Sequence, residues 1–226
     1  MDHNIVVISL KRASERREAI QKEIEKANLE NVHFLDAVDG KTLPSEMIGK
    51  INLVGGWRNG DNFQPGEVGC IMSHTNAVKL AKENNWPYVI IFEDDITIAE
   101  DFNKRVNLMF KMLPKDWEHV YLSGTPKFKG YFFNQFPQVI PSPWTDCLHS
   151  YIVKDTAYDK IIKKFDKKET TADDMILDMI IRKQTLKSYS YFPYVTHANS
   201  SYSYIWNKAA GHNIKNESKN YFKNKL

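Results

Sequence analysis

The run Tyr88-Val89-Ile90-Ile91-Phe92 is the strongest constraint on how this chain folds. Successive residues of high β-propensity with no polar alternation read as a strand covered on both faces, as in the middle of a parallel sheet. Glu93-Asp94-Asp95 follow directly, at the carboxyl end of that strand, where open α/β sheets bind their ligands. Side chains alternate along a strand, so Glu93 and Asp95 are predicted to project together and Asp94 to the other side. Two carboxylates held together repel; a divalent cation relieves that repulsion and leaves positions open to phosphate oxygens. Glu93 and Asp95 are therefore candidate ligands for Mg²⁺ or Mn²⁺. The competing reading is that the acidic run merely ends the strand and favours the next helix N-terminus.

Around this centre, apolar strand patterns alternate with helical ones. Ile5 to Leu10 reads as a buried strand, and Ser14 to Leu29 as a helix with Ile20, Ile24 and Ala27 on one face. Val32 to Leu35 is a second strand, and Asp39-Gly40 a turn. Gly49 to Gly66 has little periodicity and is a candidate lid. A helix is predicted from Glu67 to Asn84, with Val68, Ile71, Thr75, Val78 and Ala81 inward, and another from Asp101 to Leu113, stopped by Pro114. His119 to Leu122 is a strand, Thr125 to Pro143 a loop or hairpin, and Leu148 to Val153 a strand leading to a helix from Asp155 to Phe165. Met175 to Arg182 reads as a buried helix with Asp173 and Asp174 in its first turn, and Tyr189 to Phe192 as a late strand. Such alternation predicts an α/β fold with a mostly parallel sheet flanked by helices. One domain is expected over residues 1–206, followed by a basic tail over 207–226.

Bulk properties exclude several classes. With 226 residues the chain has length for a full core. A net charge of +3 is too small to argue for nucleic-acid binding. Cys70 and Cys147 are far apart and outside any Cys-x-x-Cys pattern, so free thiols in a reducing compartment are expected rather than a zinc site. No stretch approaches the roughly 20 apolar residues of a membrane span. Met1 is read as the native start, and a cytoplasmic protein is expected.

Three segments together carry a family likeness. The first is Ile8-Ser9-Leu10-Lys11-Arg12 with Arg16-Arg17 and then Phe34-Leu35-Asp36-Ala37-Val38-Asp39-Gly40; the second is Gly66-Glu67-Val68-Gly69-Cys70 with Ser73-His74; the third is Ile91-Phe92-Glu93-Asp94-Asp95. Their order and spacing, from about Ile5 to Ser203, resemble glycosyltransferase family 25, which includes lipopolysaccharide and lipooligosaccharide sugar transferases and the collagen galactosyltransferases. The resemblance implies a GT-A-like, Rossmann-like fold, a nucleotide-sugar donor, a metal-assisted diphosphate site and inversion at the anomeric carbon. The triplet reads Glu-x-Asp where many transferases of this fold have Asp-x-Asp, and His197 stands where bacterial members have glutamine.

On that resemblance, Ser9, Arg12, Arg16, Glu67, His74 and Asp94 are expected at the donor, and Glu93, Asp95 and His197 at the metal. For each a structural reading competes: a solvated helix face for Arg16, capping of its own helix for Glu67, a hydrogen-bonded core histidine for His74. Transfer also needs a base for the acceptor hydroxyl, and Asp173 or Asp174 is the candidate, with ordinary helix-start charge as the alternative. Tyr202, Tyr204 and Trp57 are candidate acceptor aromatics. The tail sets Lys208, Lys215, Lys219, Lys223 and Lys225 against Glu217 and could rest on anionic lipid at the inner face of the cytoplasmic membrane. The expected activity is transfer of a hexose, galactose from UDP-galactose or else glucose, to a lipooligosaccharide or lipopolysaccharide glycan. The alternatives are a metal-dependent phosphohydrolase and a carbohydrate-binding relic without catalysis.

Overall fold

A computed structural model describes residues 3–52, 60–125, 137–142 and 144–199, together with the backbone of 126, 202–203 and 208–209. In chain order the elements are β1 (Ile5–Ser9), α1 (Ser14–Lys26), β2 (Val32–Asp36), α2 (Pro65–Glu83), β3 (Tyr88–Glu93), β4 (Ile96–Ile98), α3 (Phe102–Met112), β5 (His119–Tyr121), β6 (Thr125–Pro126), β7 (Gln138–Pro141), β8 (Thr145–Asp146), β9 (Ser150–Lys154), α4 (Asp155–Asp166), α5 (Ala172–Leu177), β10 (Ser188–Phe192) and β11 (Thr196–Ala198). The expected lid segment carries a bridge between Lys50 and Asn62. Trp57, the side chains of Tyr202 and Tyr204, and the tail beyond 209 lie outside the described residues.

The central sheet has 7 strands in the order β2-β1-β3-β9-β5-β10-β7. β1 pairs in parallel with β2 and β3, and β5 in parallel with β10, while β9 runs antiparallel to β3 and β5, and β7 antiparallel to β10. Only β7 and β9 therefore oppose the common direction, and the expectation of a mostly parallel sheet holds. The apolar run at 148–153 forms the expected strand, but reversed. The strand itself starts at Ser150, and the reversal carries the residue before it, His149, to the edge where β1, β2 and β3 end.

Strand alternation divides the core. Val6, Ile8, Val89 and Ile91 face the layer of α2, α4 and α5, together with Val68, Ile71, Ile161 and Met175. Ile5, Val7, Ile90 and Phe92 face the layer of α1 and α3, with Ile20, Ile24, Phe102 and Met109. Both faces of β3 are dry, and each such aliphatic side chain contributes on the order of 2 kcal/mol by leaving water. This is why its sequence shows no polar alternation.

Two of the resembling segments meet backbone to backbone. A Cβ on Gly69 would stand 2.5 Å from the Val38 carbonyl oxygen and 2.8 Å from the Gly40 nitrogen. Ser73 Oγ locks the contact, accepting from the Val38 N–H at 2.8 Å and donating to the Gly69 carbonyl at 2.6 Å. Gly69 thus serves close approach rather than chemistry. The helix predicted over 175–182 begins at Ala172 and passes into a π turn over Asp178–Arg182, where the Lys183 N–H donates to the Asp178 carbonyl at 2.8 Å. The buried Asp178 carboxylate is held there by Lys164 at 2.5 Å and Lys183 at 3.0 Å.

Candidate active site

The alternation that divides the core also sorts the acidic triplet. Glu93 continues the face of Val89 and Ile91 and turns towards α2, where its Oε1 lies 3.1 Å from His74 Nε2. Asp94 continues the face of Ile90 and Phe92 towards α1, accepting from Ser9 Oγ at 2.6 Å and Arg16 at 2.8 Å. Asp95 returns to the side of Glu93, since His149 Nδ1 lies 2.8 Å from Glu93 Oε2 and 3.5 Å from Asp95 Oδ1. Arg16 also approaches Asp95, at 3.4 Å.

Hydrogen-bond bookkeeping fixes the protons. An ionised Glu93 only accepts, so His74 donates from Nε2 and its Nδ1 accepts from the Tyr151 hydroxyl at 2.8 Å. His149 donates to the other Glu93 oxygen. Burial alone would raise the Glu93 pKa, but the hydrogen bond and charge of His149 and then the hydrogen bond from His74 outweigh it, and the carboxyl lies below the usual carboxylate range. Burial opposes a charge on His149, yet its contacts with Asp95, Cys147 and Glu93 push its pKa well up. An imidazolium thus stands among the carboxylates. The Cys147 backbone leading to it is held at φ 73°, an unusual conformation for a residue other than glycine.

The residues present fit a divalent cation. One ligand atom each from Glu93, Asp95 and His149 lies within 4.8 Å of the others. Asp95 Oδ1 is buried and makes no hydrogen bond, its positive neighbour being the His149 ring at 3.5 Å, so a cation at this point would complete it. His197 is not in that cluster. It sits on β11 opposite Thr97 of β4, where burial and then the charge of Arg105 lower its pKa to about 4.

The other expected residues are held by partners of their own. Arg12 forms an ion pair with Asp39, whose pKa that contact lowers. Glu67 is buried and accepts the Gln64 N–H at 2.8 Å, so it caps the start of α2. Asp173 accepts from Thr171 Oγ1 at 2.6 Å and Asp174 from Thr170 Oγ1 at 3.2 Å. Burial, and then the charge of Asp173, raise the Asp174 pKa. The Asp173 charge also bears on the Cys70 thiol, as do those of Glu93, Glu67 and Asp95, so the α5 carboxylate and the triplet share one electrostatic neighbourhood. β8 packs against α5, and beside it Trp144 is exposed, its indole N–H donating to Asp146 at 2.9 Å with the Arg182 guanidinium 5.9 Å from its ring centroid.

Sequence reasoning did not single out His149, Tyr151 or the role of Cys70. The one sequence signal for His149 is its place immediately before an apolar strand, and that becomes informative only once the strand is known to run antiparallel to β3.

A family model described as glycosyltransferase family 25 (LPS biosynthesis protein) matches residues 2–221. The chain belongs to glycosyltransferase family 25. Among family relatives, human procollagen galactosyltransferase 2 is 28% identical over 126 residues, covering 52% of this chain and 20% of the relative. Mouse inactive glycosyltransferase 25 family member 3 is 29% identical over 126 residues, covering 52% of this chain and 21% of the relative. The matched segment is thus about a fifth of the length of these relatives. The crystal structure of a glycosyltransferase involved in the glycosylation of the major capsid of PBCV-1 superposes with a TM-score of 0.53 at 6% identity, covering 88% of this chain and 92% of that one. The family-25 chain therefore has the expected GT-A-like α/β fold. Among its described residues no helix is long and apolar enough to cross a membrane.

Proposed function

We propose that this chain transfers a hexose from a UDP-sugar, galactose rather than glucose, to a lipooligosaccharide or lipopolysaccharide glycan, with inversion and with Mn²⁺ or Mg²⁺. The observation that carries the reading is the buried, hydrogen-bond-free Asp95 Oδ1 beside Glu93 and His149 at the carboxyl edge of the sheet. Family membership supports sugar transfer, the family description supports the lipopolysaccharide acceptor, and the name of the human relative supports galactose.

Asp95 and Glu93 would hold the cation, joined by His149 once its imidazolium releases a proton to solvent, and a bound cation there would offset the charge of the donor diphosphate. Arg16, on the opposite side of Asp94 and Asp95, supplies a fixed positive charge for the phosphates, and its contact with Asp94 opposes the burial that raises the Asp94 pKa. Ser9 fixes the rotamer of Asp94, which holds Arg16 in turn. Arg12 is a second phosphate candidate at the rim. His74 orients Glu93 and is itself oriented by Tyr151. Asp173 takes the proton of the attacking acceptor hydroxyl, and Asp174, whose pKa is raised by burial and then by the Asp173 charge, stands next to it as the second candidate base. His197, placed between β4 and Arg105, is assigned to supporting the segment after the triplet rather than to the cation. Exposed Trp144 offers a face on which an acceptor sugar can stack, and the basic tail a contact with anionic lipid.

The test is transfer from UDP-galactose and UDP-glucose to a panel of truncated lipooligosaccharides, with the product anomer read by NMR. Removing a general base costs about 10²- to 10⁴-fold in kcat, so Asp173→Asn is expected to lose activity in that range while still binding UDP. A second reading, binding without catalysis, is favoured by the mouse relative named inactive. It predicts UDP-sugar or glycan binding with no turnover in any arm, and no effect of Asp173→Asn.

A further inference from the structure

Cys70 and His74 stand one turn apart on α2, and Glu93 reaches the same place from the end of β3. A Cys70 sulfur, a His74 ring nitrogen and a Glu93 oxygen lie within 4.8 Å of one another. Thiolate, imidazole and one carboxylate make a donor set of mixed softness. Zn²⁺ accepts such a set with three protein ligands and an open fourth position, whereas Mg²⁺ and Mn²⁺ prefer oxygen. Two further features of the structure suit a cation here. His74 is already oriented from its far nitrogen by Tyr151 at 2.8 Å, the kind of outer contact that metal-binding histidines require. Burial, and then the negative charges of Glu93, Asp173, Glu67 and Asp95, hold the Cys70 pKa well up, so the metal has to displace the thiol proton, while those same charges attract a cation.

We propose that Cys70, His74 and Glu93 form a Zn²⁺ site distinct from the Glu93–Asp95–His149 position, and that the two exclude one another because two dications on the Oε1 and Oε2 of one Glu93 carboxylate repel at that spacing. Zn²⁺ is then an inhibitor of whatever the hard cation supports. The bond formed is sulfur to zinc, and the Cys70 thiol proton is released to solvent. His74 keeps one proton, moved from Nε2 to Nδ1 by exchange with water, and the Tyr151 hydroxyl turns from donor to acceptor. Zn²⁺ binding itself does not depend on the sugar-transfer reading; only the exclusion clause rests on it.

Cobalt(II) in place of zinc gives a thiolate-to-metal charge-transfer band in the near ultraviolet, which reports sulfur ligation directly. The full chain is titrated with Co²⁺ as wild type, Cys70→Ser, Cys147→Ser and Asp95→Asn, each checked for folding by circular dichroism. The proposal expects one ion per chain and the band in wild type, Cys147→Ser and Asp95→Asn, its displacement by Zn²⁺, and its absence in Cys70→Ser. A band missing from wild type, kept in folded Cys70→Ser, or lost in Asp95→Asn overturns the site. In a second arm, free Mn²⁺ is followed by electron paramagnetic resonance. Zn²⁺ should release bound Mn²⁺ from wild type, and at least tenfold more Zn²⁺ should be needed with Cys70→Ser. Simultaneous binding of both ions overturns the exclusion clause. So does wild type that gives the cobalt band yet binds no Mn²⁺, and that result refutes the hard-cation reading while leaving the zinc site standing.

Discussion

Acid should weaken this fold through His119 in particular. The imidazole is fully buried at the start of β5, with Nδ1 2.8 Å from Ser188 Oγ, its ring edge-on to Tyr121 and packed near Tyr151. Nε2 is buried without a partner, so a second proton would bring an unpaired N–H and a positive charge into the core. Burial accordingly depresses the pKa to about 3 from 6.5. The unfolded chain takes the proton first, so the stability this histidine contributes is complete above about pH 6.5 and is lost as the pH falls towards 3. Linkage over that interval gives a loss of about 2 kcal/mol by about pH 5, approaching about 5 kcal/mol at the acid limit. The assay is urea denaturation at about pH 7.5 and about pH 5, comparing wild type with His119→Asn, which keeps a polar group facing Ser188 but cannot titrate. Between the two conditions wild type should lose about 2 kcal/mol more than the variant; His197 also titrates but does so in both proteins and cancels. Equal pH dependence, within about 0.5 kcal/mol, would refute the reasoning.

Two further predictions concern what holds the site together. Gly69→Ala drives a methyl against the Val38 carbonyl and should cost at least about 2 kcal/mol in a thermal melt, by pushing the 38–40 turn off α2. Tyr151→Phe leaves His74 Nδ1 buried without its hydroxyl partner and should cost about 1–3 kcal/mol in chemical denaturation, with no change in secondary structure by circular dichroism.

Much of this architecture is legible in the sequence for a physical reason. A strand covered on both faces must be apolar throughout, so Tyr88 to Phe92 announces its central place, and the period of two then sends Glu93 and Asp94 to opposite helices without further information. The helices α1 and α2 were legible in the same way, since their apolar faces repeat at helical spacing and point where predicted. Strand direction was not. An apolar run such as 148–153 reads the same whichever way it pairs, so His149, the residue that most alters the chemistry of Glu93, could not be placed. The short β4–β11 ladder was equally silent, since Ile96–Ile98 and Thr196–Ala198 acquire their meaning only from each other. The zinc cluster is a similar case: Cys70 and His74 have helical spacing in the sequence, but their third partner arrives from another element.

The most direct test of the central claim is calorimetric titration of UDP-galactose, UDP-glucose and UDP, with and without Mn²⁺, into wild type and Asp95→Ala. The account predicts binding that strengthens at least tenfold with Mn²⁺ in wild type, about 1.4 kcal/mol or more, and loses that gain in the variant. Binding that is equal with and without Mn²⁺, or unchanged in Asp95→Ala, would contradict the assignment of the triplet as a cation-assisted diphosphate site.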